Sequence, residues 1–513
     1  MEGEIGSLRR IDGFAPEAEA KFQKCMEENT PAVVYNFGPP SCLRTWCTDD
    51  GSASCAITQL RKNFGDARAP VVVGGVHMET YGAARVKDMS ILEYLDWLGG
   101  NEDYPEIDRT KQWLYLKDWH FVREYRERRR LLQAFITRTA SCDSPMTETA
   151  IRSASSAVDS EDYETPSLFA DDWLNWWWEA RRGGADDYRF VYVGPAGSLT
   201  PLHHDVLRSY SWSANLCGAK RWTLFPPAEG PKLHDRLGNL APDCRAGKYD
   251  AAAFPLLEKA PRCEVLQGPG EAIFVPSGWF HQVENMGDGR GGPTASVNHN
   301  WFNHHCLRSV SAFMRAELLN VRRSIEDLRE GFDGEGPRAW ERQCEVVMRA
   351  NSAMNVSEFF ALVSAKAQEL LRVFDVGKGA WADAGEHRGY GEVDAGDGGG
   401  ADSGGSSGGD EPAAAAKSGG ASAAAAFGYA YAGVAPLPLP FGALAAIADV
   451  VAEIAEEPCC EHLFVDIAEE AAGGPVWGVE EVLARVGAAL GICRQAAAVA
   501  VAESPEKPMT TLI

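Results

Sequence analysis

Gly194 to Pro227 reads GPAGSLTPLHHDVLRSYSWSANLCGAKRWTLFPP. Tyr210 to Phe225 within it is rich in aromatic and β-branched residues, as are Tyr188 to Val193 (YRFVYV), Cys263 to Val275 and Ala295 to Phe302. Gly, Pro and Asp clusters separate these runs, a pattern that predicts the strands and turns of a sandwich or barrel rather than a parallel α/β sheet. His203 and Asp205 stand one residue apart. Alternate side chains of a strand face the same way, so both can project into one barrel interior.

Seventy-six residues after Asp205, VPSGWFHQVEN offers His281 at the start of a strand that follows a Pro-Ser-Gly turn. Two imidazoles and one carboxylate on one face of an iron leave three adjacent positions open, the ligand set of non-haem Fe(II) oxygenases. An HxD pair alone is a weak signal. Taken singly, His203 also reads as a surface imidazole and His281 as a core histidine.

Before the strands, SILEYLDWLGG and SLFADDWLNWWWEARR read as helices, with Trp173, Trp176, Trp177 and Trp178 as core packing. After them, Cys306 opens a segment with apolar residues three and four apart, and two more helical segments follow. The expected organisation is an N-terminal α/β region over 1–165 packing on the core, a β core over 166–303 and a helical region over 304–376. A disordered low-complexity linker is expected over 377–427, because its Gly, Ser, Ala and Asp cannot bury enough surface to offset ordering. An acidic C-terminal helical unit over 428–513 completes the chain.

The 513 residues carry 49 basic and 73 acidic side chains, a formal charge of −24. From Val376 to Ile513 there are 20 acidic and 6 basic residues, so −14 of the charge lies there. Such a balance argues against a broad phosphate-binding surface and so against nucleic acid as a partner. Thirteen cysteines with no CxxC pair, Cys42, Cys47 and Cys55 among them, read as reduced thiols rather than a disulfide framework or zinc site. The N-terminus lacks a signal-peptide apolar run, and the uncharged Ala-rich stretch 418–448 holds too many Gly and Pro for a spanning helix. A cytoplasmic location, or a nuclear one, and no membrane association are therefore expected.

The frames GPAGSLTPLHHDVLRSYSWSANLCGAKRWTLFPP and GEAIFVPSGWFHQVEN resemble the jumonji C family of 2-oxoglutarate oxygenases in motif, order and separation. WLYLKDWH (Trp113 to His120), DDYRFVYVGPAGS (Asp186 to Ser198), RSYSWSANLCG (Arg208 to Gly218) and SVNHNWFN (Ser296 to Asn303) look like one branch of it. That branch is understood to hydroxylate a lysine, at its fourth side-chain carbon, in the eukaryotic peptide chain release factor, promoting translation termination. The likeness spans about Pro70 to Phe374; the low-complexity insertion departs from it.

The resemblance implies a mainly β core, a cupin-like double-stranded β-helix or jelly roll with flanking α-helices, α+β overall. It implies Fe(II) held by His203, Asp205 and His281, with 2-oxoglutarate and O2 as co-substrates. Lys220 matches the family's co-substrate lysine, and Thr200, Tyr115 and Asn298 match polar co-substrate positions. His204 falls at the variable middle place and should face the other way; His299, His304 and His305 are expected to be structural. Two other outcomes remain open at this point: a methyl-lysine demethylase of histones or other proteins, and a non-catalytic cupin-like scaffold.

Overall fold

The computed structural model describes residues 8–75, 85–100, 107–140, 163–181, 184, 186–332, 334, 338–386, 441–455 and 477–503. The N-terminal part contains β1 (Arg9–Asp12), α1 (Ala18–Glu27), β2 (Ala32–Tyr35), α2 (Ser54–Phe64) and β3 (Arg68–Gly75). It continues with β4 (Arg85–Ser90), α3 (Ile91–Leu98), β5 (Gln112–Trp119), α4 (Phe121–Ala140) and α5 (Trp173–Arg181). Then come β6 (Arg189–Gly194), β7 (Leu199–His203), β8 (Tyr210–Cys217), β9 (Ala219–Phe225), the single turn α6 (Gly230–Leu233) and β10 (Cys263–Gln267). Strands β11 (Ala272–Val275), β12 (Phe280–Gly287) and β13 (Thr294–Trp301) close the series.

Strands β6 to β13 divide between two antiparallel sheets, ordered β11-β8-β13-β6 and β10-β9-β12-β7. The chain crosses from one sheet to the other at almost every step, which is the winding of a double-stranded β-helix. The first sheet does not end there. Strand β11 also pairs with β2, which carries β1, and β6 pairs with β5, which carries β3 and β4, giving nine strands in all. The N-terminal region is thus hydrogen-bonded into the core sheet rather than resting on it. The physical reason is that β6 and β11 would otherwise present unpaired backbone edges.

Burial on this sheet inverts the usual alternation. Trp212 and Trp301 turn outward into an aromatic layer in which Phe169 stacks on Trp212 at 4.8 Å and Phe22 packs on Phe169 and Phe274. Their neighbours Ser211, Ser213 and Asn215, and Ser296, Asn298 and Asn300, therefore face the second sheet. Part of the space between the sheets is apolar, formed by Val33, Trp222, Leu224, Ile273, Val275 and Val283. The rest is polar and buried.

Helix α7 (Leu307–Ser324) buries Leu307, Val310, Met314, Leu318 and Val321 at the expected three- and four-residue spacing. Helices α8 (Ala339–Ser352) and α9 (Val356–Glu386) follow, then α10 (Phe441–Ala455) and α11 (Val479–Glu503). The chain forms two compact units, the first containing the residues up to Leu362 and the second those from Val363 in α9, most of α10, and α11. In the second unit Leu444, Ile447 and Val451 of α10 and Val482 and Val486 of α11 are buried.

Helix α9 runs to Glu386, ten residues into the stretch read as linker from 377. Extending an existing helix requires no new nucleus, so Ala380, Trp381 and Ala382 carry it onward despite Gly377 and Gly379. Residues 387–427 lie outside the described residues. Among the described residues, no helix is long and apolar enough to cross a membrane.

The turn between β8 and β9 depends on Gly218, at φ +69°, where an added Cβ would lie 2.8 Å from the Thr294 backbone. Gly218→Ala is expected to cost roughly 1–3 kcal/mol of stability, read as a lower urea midpoint.

Candidate active site

Strand pairing creates the site. In the second sheet β7 and β12 are antiparallel with His203 directly opposite His281, and the two rings lie 4.2 Å apart between centroids. Asp205 follows β7 by two residues, and one ligand atom from each of His203, Asp205 and His281 lies within 4.8 Å of the others. Three groups separated by up to 78 positions in sequence thus share one point in space.

Each group is held by a neighbour. His203 Nδ1 lies 2.8 Å from the carbonyl of Pro201 and His281 Nδ1 lies 3.3 Å from that of Trp279, in both cases two residues earlier. Donating Nδ1–H to a carbonyl fixes the tautomer and leaves the Nε2 lone pair for a metal. Burial, followed by the nearby His281 and Lys117 charges, holds the His203 imidazole well below its ordinary pKa, so the ring is neutral as a ligand must be. Asp205 Oδ2 accepts from Ser211 Oγ at 2.7 Å and Oδ1 from Asn300 Nδ2 at 2.8 Å.

Directly after Asp205, Leu207 and Arg208 adopt φ of 56° and 54°. Two successive side-chain-bearing residues in the left-handed region are strained, and persist only where surrounding contacts compensate. Here Ser277 Oγ donates to the Arg208 carbonyl at 2.6 Å, tying the loop after Asp205 to the Pro-Ser-Gly turn before His281.

Thr200 would point away from His203 in a regular strand, since the two are three residues apart. The pairing slips between His281 and Val283, which faces Thr200, so β7 contains one extra residue and Thr200 rejoins the inner face. Thr200 and Asn285 both hydrogen-bond the Tyr115 hydroxyl; burial nevertheless pushes that phenol up to about 12. Gly194 makes room for the group, because a Cβ there would come within 2.4 Å of Asn285 Nδ2 and 2.8 Å of the Tyr115 ring.

Lys220 stands opposite Asn285 and is 2% exposed. Its ammonium donates to Ser296 Oγ at 2.6 Å and Ser213 Oγ at 3.3 Å, both neutral acceptors on the first sheet. No carboxylate pairs with it among the described residues. Burial, then the charge of Lys117, pushes its pKa down to about 7. A buried cation bonded only to hydroxyls is a site built for an anion.

All seven sequence-derived residues therefore lie on this interior, with Asn298 reaching it through Ser296 at 3.2 Å. His204 turns out of the cluster, its ring against Phe280 and its Nδ1 3.0 Å from the Asp205 carbonyl oxygen. His299 lies behind the first sheet, on Trp212 and against the Tyr163 hydroxyl at 2.6 Å. His304 and His305 pack on each other. Sequence reading missed Asn285, Ser211, Ser213, Ser296, Asn300, Tyr192 and Lys117. The alternating polar residues of Ser211-Trp212-Ser213-Ala214-Asn215 and Ser296-Val297-Asn298-His299-Asn300 were the available signal.

Among the described residues one other group has metal-ligand spacing, His120 with Asp186 and Asp187. There the imidazole is committed to Asp187 Oδ1 at 2.7 Å. Cys47 and Cys55 are free thiols, and neither joins a candidate metal cluster.

A double-stranded β-helix carrying a His, His and Asp cluster beside an anion-seeking lysine defines the cupin-like metal oxygenases. Residues 57–306 match the family model described as a cupin-like domain. The chain is 33% identical over 350 residues to the 2-oxoglutarate and iron-dependent oxygenase JMJD4 of Mus musculus, covering 67% of this chain and 70% of the relative. It is 34% identical over 334 residues to the protein of the same name in Homo sapiens, covering 64% and 68%. It is also 33% identical over 376 residues to the arginine-specific demethylase JMJ20 of Arabidopsis thaliana, covering 70% of each. The chain belongs to the jumonji C family of 2-oxoglutarate and iron-dependent oxygenases.

The lysine fixes a pH dependence. Burial and Lys117 hold Lys220 at a pKa of about 7, whereas a carboxylate binds the ammonium form. Above neutrality, 2-oxoglutarate binding must therefore take up about one proton, and affinity falls as pH rises. Calorimetry at pH 8 in buffers of different ionisation heat is expected to show that uptake; its absence would mean the distal carboxylate is held elsewhere.

Proposed function

We propose that this oxygenase hydroxylates a protein lysine at its fourth side-chain carbon, with the eukaryotic peptide chain release factor as substrate and the cytoplasm as place of action. The observation that carries the chemistry is the convergence of His203, Asp205 and His281 beside the buried Lys220, which no described carboxylate neutralises. The likeness of WLYLKDWH, DDYRFVYVGPAGS, RSYSWSANLCG and SVNHNWFN to the lysine-hydroxylating branch supports the choice of substrate.

In this reading His203 Nε2, His281 Nε2 and an Asp205 oxygen hold Fe(II). Bound iron, with 2-oxoglutarate and O2, supplies the oxidant that an unactivated C–H bond requires. The rest is done by the chain. Lys220, Thr200 and Tyr115 take the distal carboxylate of the keto acid, so its other end is directed at the ligand cluster. Asn298 steadies Ser296, which in turn receives the Lys220 ammonium. Ser211 and Asn300 keep Asp205 aimed, and the apolar cluster of Trp222, Leu224, Ile273, Val275 and Val283 lines the rest of the interior.

A second reading is N-demethylation of a methylated basic side chain, which the same ligand set would serve. The arginine-specific demethylase among the relatives supports it. Release factor exposed to the enzyme with Fe(II), ascorbate and 2-oxoglutarate is expected to gain the mass of one oxygen on one lysine. Unchanged release factor, with methyl loss from methylated histone peptides, would favour the second reading. Asp205→Ala is expected to weaken Mn(II) binding by more than about 100-fold, beyond the loss typical of an outer hydrogen-bond partner, and to abolish turnover.

A further inference from the structure

Lys220 is not the only ammonium group on this interior. Alternate residues of β5 share a face, so Trp113, Tyr115 and Lys117 point the same way, and the bonding of Tyr115 to Thr200 and Asn285 on the second sheet shows that this way is inward. Lys117 Nζ lies 5.8 Å from the centre of the Tyr192 ring, and Lys220 Nζ lies 5.7 Å from the same centre. One aromatic ring thus carries both cations. Tyr192 itself is anchored, its hydroxyl donating at 2.6 Å to Asp118, whose φ of 59° marks the irregularity that interrupts β5–β6 pairing between Leu116 and Trp119.

The adjacent carboxylate does not neutralise Lys117. Asp118 is taken by Tyr192, and Lys117 makes no hydrogen bond or ion pair with any described residue. Its charge is nevertheless felt at Lys220. Along β13 the inner residues run from Ser296, which faces Tyr192 and accepts from Lys220, through Asn298 to Asn300, which holds Asp205, so Lys117 on the Tyr192 ring stands between the distal and the iron-ligand ends of the interior.

A keto acid chelating a metal uses one oxygen of its adjacent carboxylate and leaves the other in need of a donor in a site that excludes water. The polar groups nearest the ligand cluster are already committed. Ser211 and Asn300 donate to Asp205, and Asn298 donates to Ser296. We propose that Lys117 supplies the missing donor, pairing with the metal-end carboxylate so that 2-oxoglutarate is held by one lysine at each end. It is a binding residue for the co-substrate, independent of which protein is hydroxylated.

The test uses the full chain loaded with Mn(II) and measures equilibrium binding by calorimetry, with no turnover involved. The ligands are 2-oxoglutarate and 2-oxopentanoate, which keeps the keto-acid end but carries a methyl group in place of the distal carboxylate. Lys117→Met retains the stem against Tyr192 and is expected to weaken both ligands alike, by roughly tenfold, the scale of one charge-assisted hydrogen bond. The preference for 2-oxoglutarate over 2-oxopentanoate should survive in Lys117→Met and disappear in Lys220→Met, while Lys117→Arg should recover much of the lost affinity. Mn(II) affinity and thermal midpoint of the unliganded protein serve as the folding control. Unchanged binding of both ligands in Lys117→Met would overturn the proposal, as would loss of the preference, which would put Lys117 at the distal carboxylate. Neither result touches the identity of the protein substrate.

Discussion

An amine at Lys220 that is shut away from water, hydrogen-bonded only to two serine hydroxyls and paired with no described carboxylate is the constraint around which the interior is arranged. Desolvating an ammonium group is costly unless an anion compensates. The chain accepts that cost between its two sheets, and the depressed pKa of the lysine is its signature. The requirement for an acidic co-substrate is therefore built into the resting protein.

That requirement explains an unusual division of labour across one sheet. On β8 and β13 the tryptophans face outward, where Phe169, Phe22 and Phe274 receive them. Small polar residues occupy the side that would ordinarily be apolar. Stability is thus drawn from the outer aromatic layer, which frees the inner faces for chemistry. The apolar portion between the sheets is confined to the cluster around Trp222 and Val283.

Much of this was legible beforehand. The aromatic and β-branched runs gave the strands, the HxD pair with the distant HQVEN histidine gave the ligand cluster, and Lys220 followed from the family likeness. What was not legible depended on register. Asn285 matters because it stands opposite Lys220 and beside Tyr115, a fact of β9–β12 pairing and of a slip in β7, neither of which has a local sequence signature. Lys117 was hidden in WLYLKDWH, a motif from which only the tyrosine was singled out as a site residue. The attachment of β1 to β5 to the core sheet was hidden too, because a strand's partners are chosen by edges elsewhere in the chain.

Among the described residues the nine-stranded sheet ends on two border strands, β1 and β4. A border strand is a template onto which another chain can add. Here both are short and heavily ionic: Arg9, Arg10 and Asp12 on one, Arg85, Lys87 and Asp88 on the other. A neighbouring backbone docking there would have to strip water from these groups, so the widening of the sheet that serves the pocket does not become a route to polymerisation.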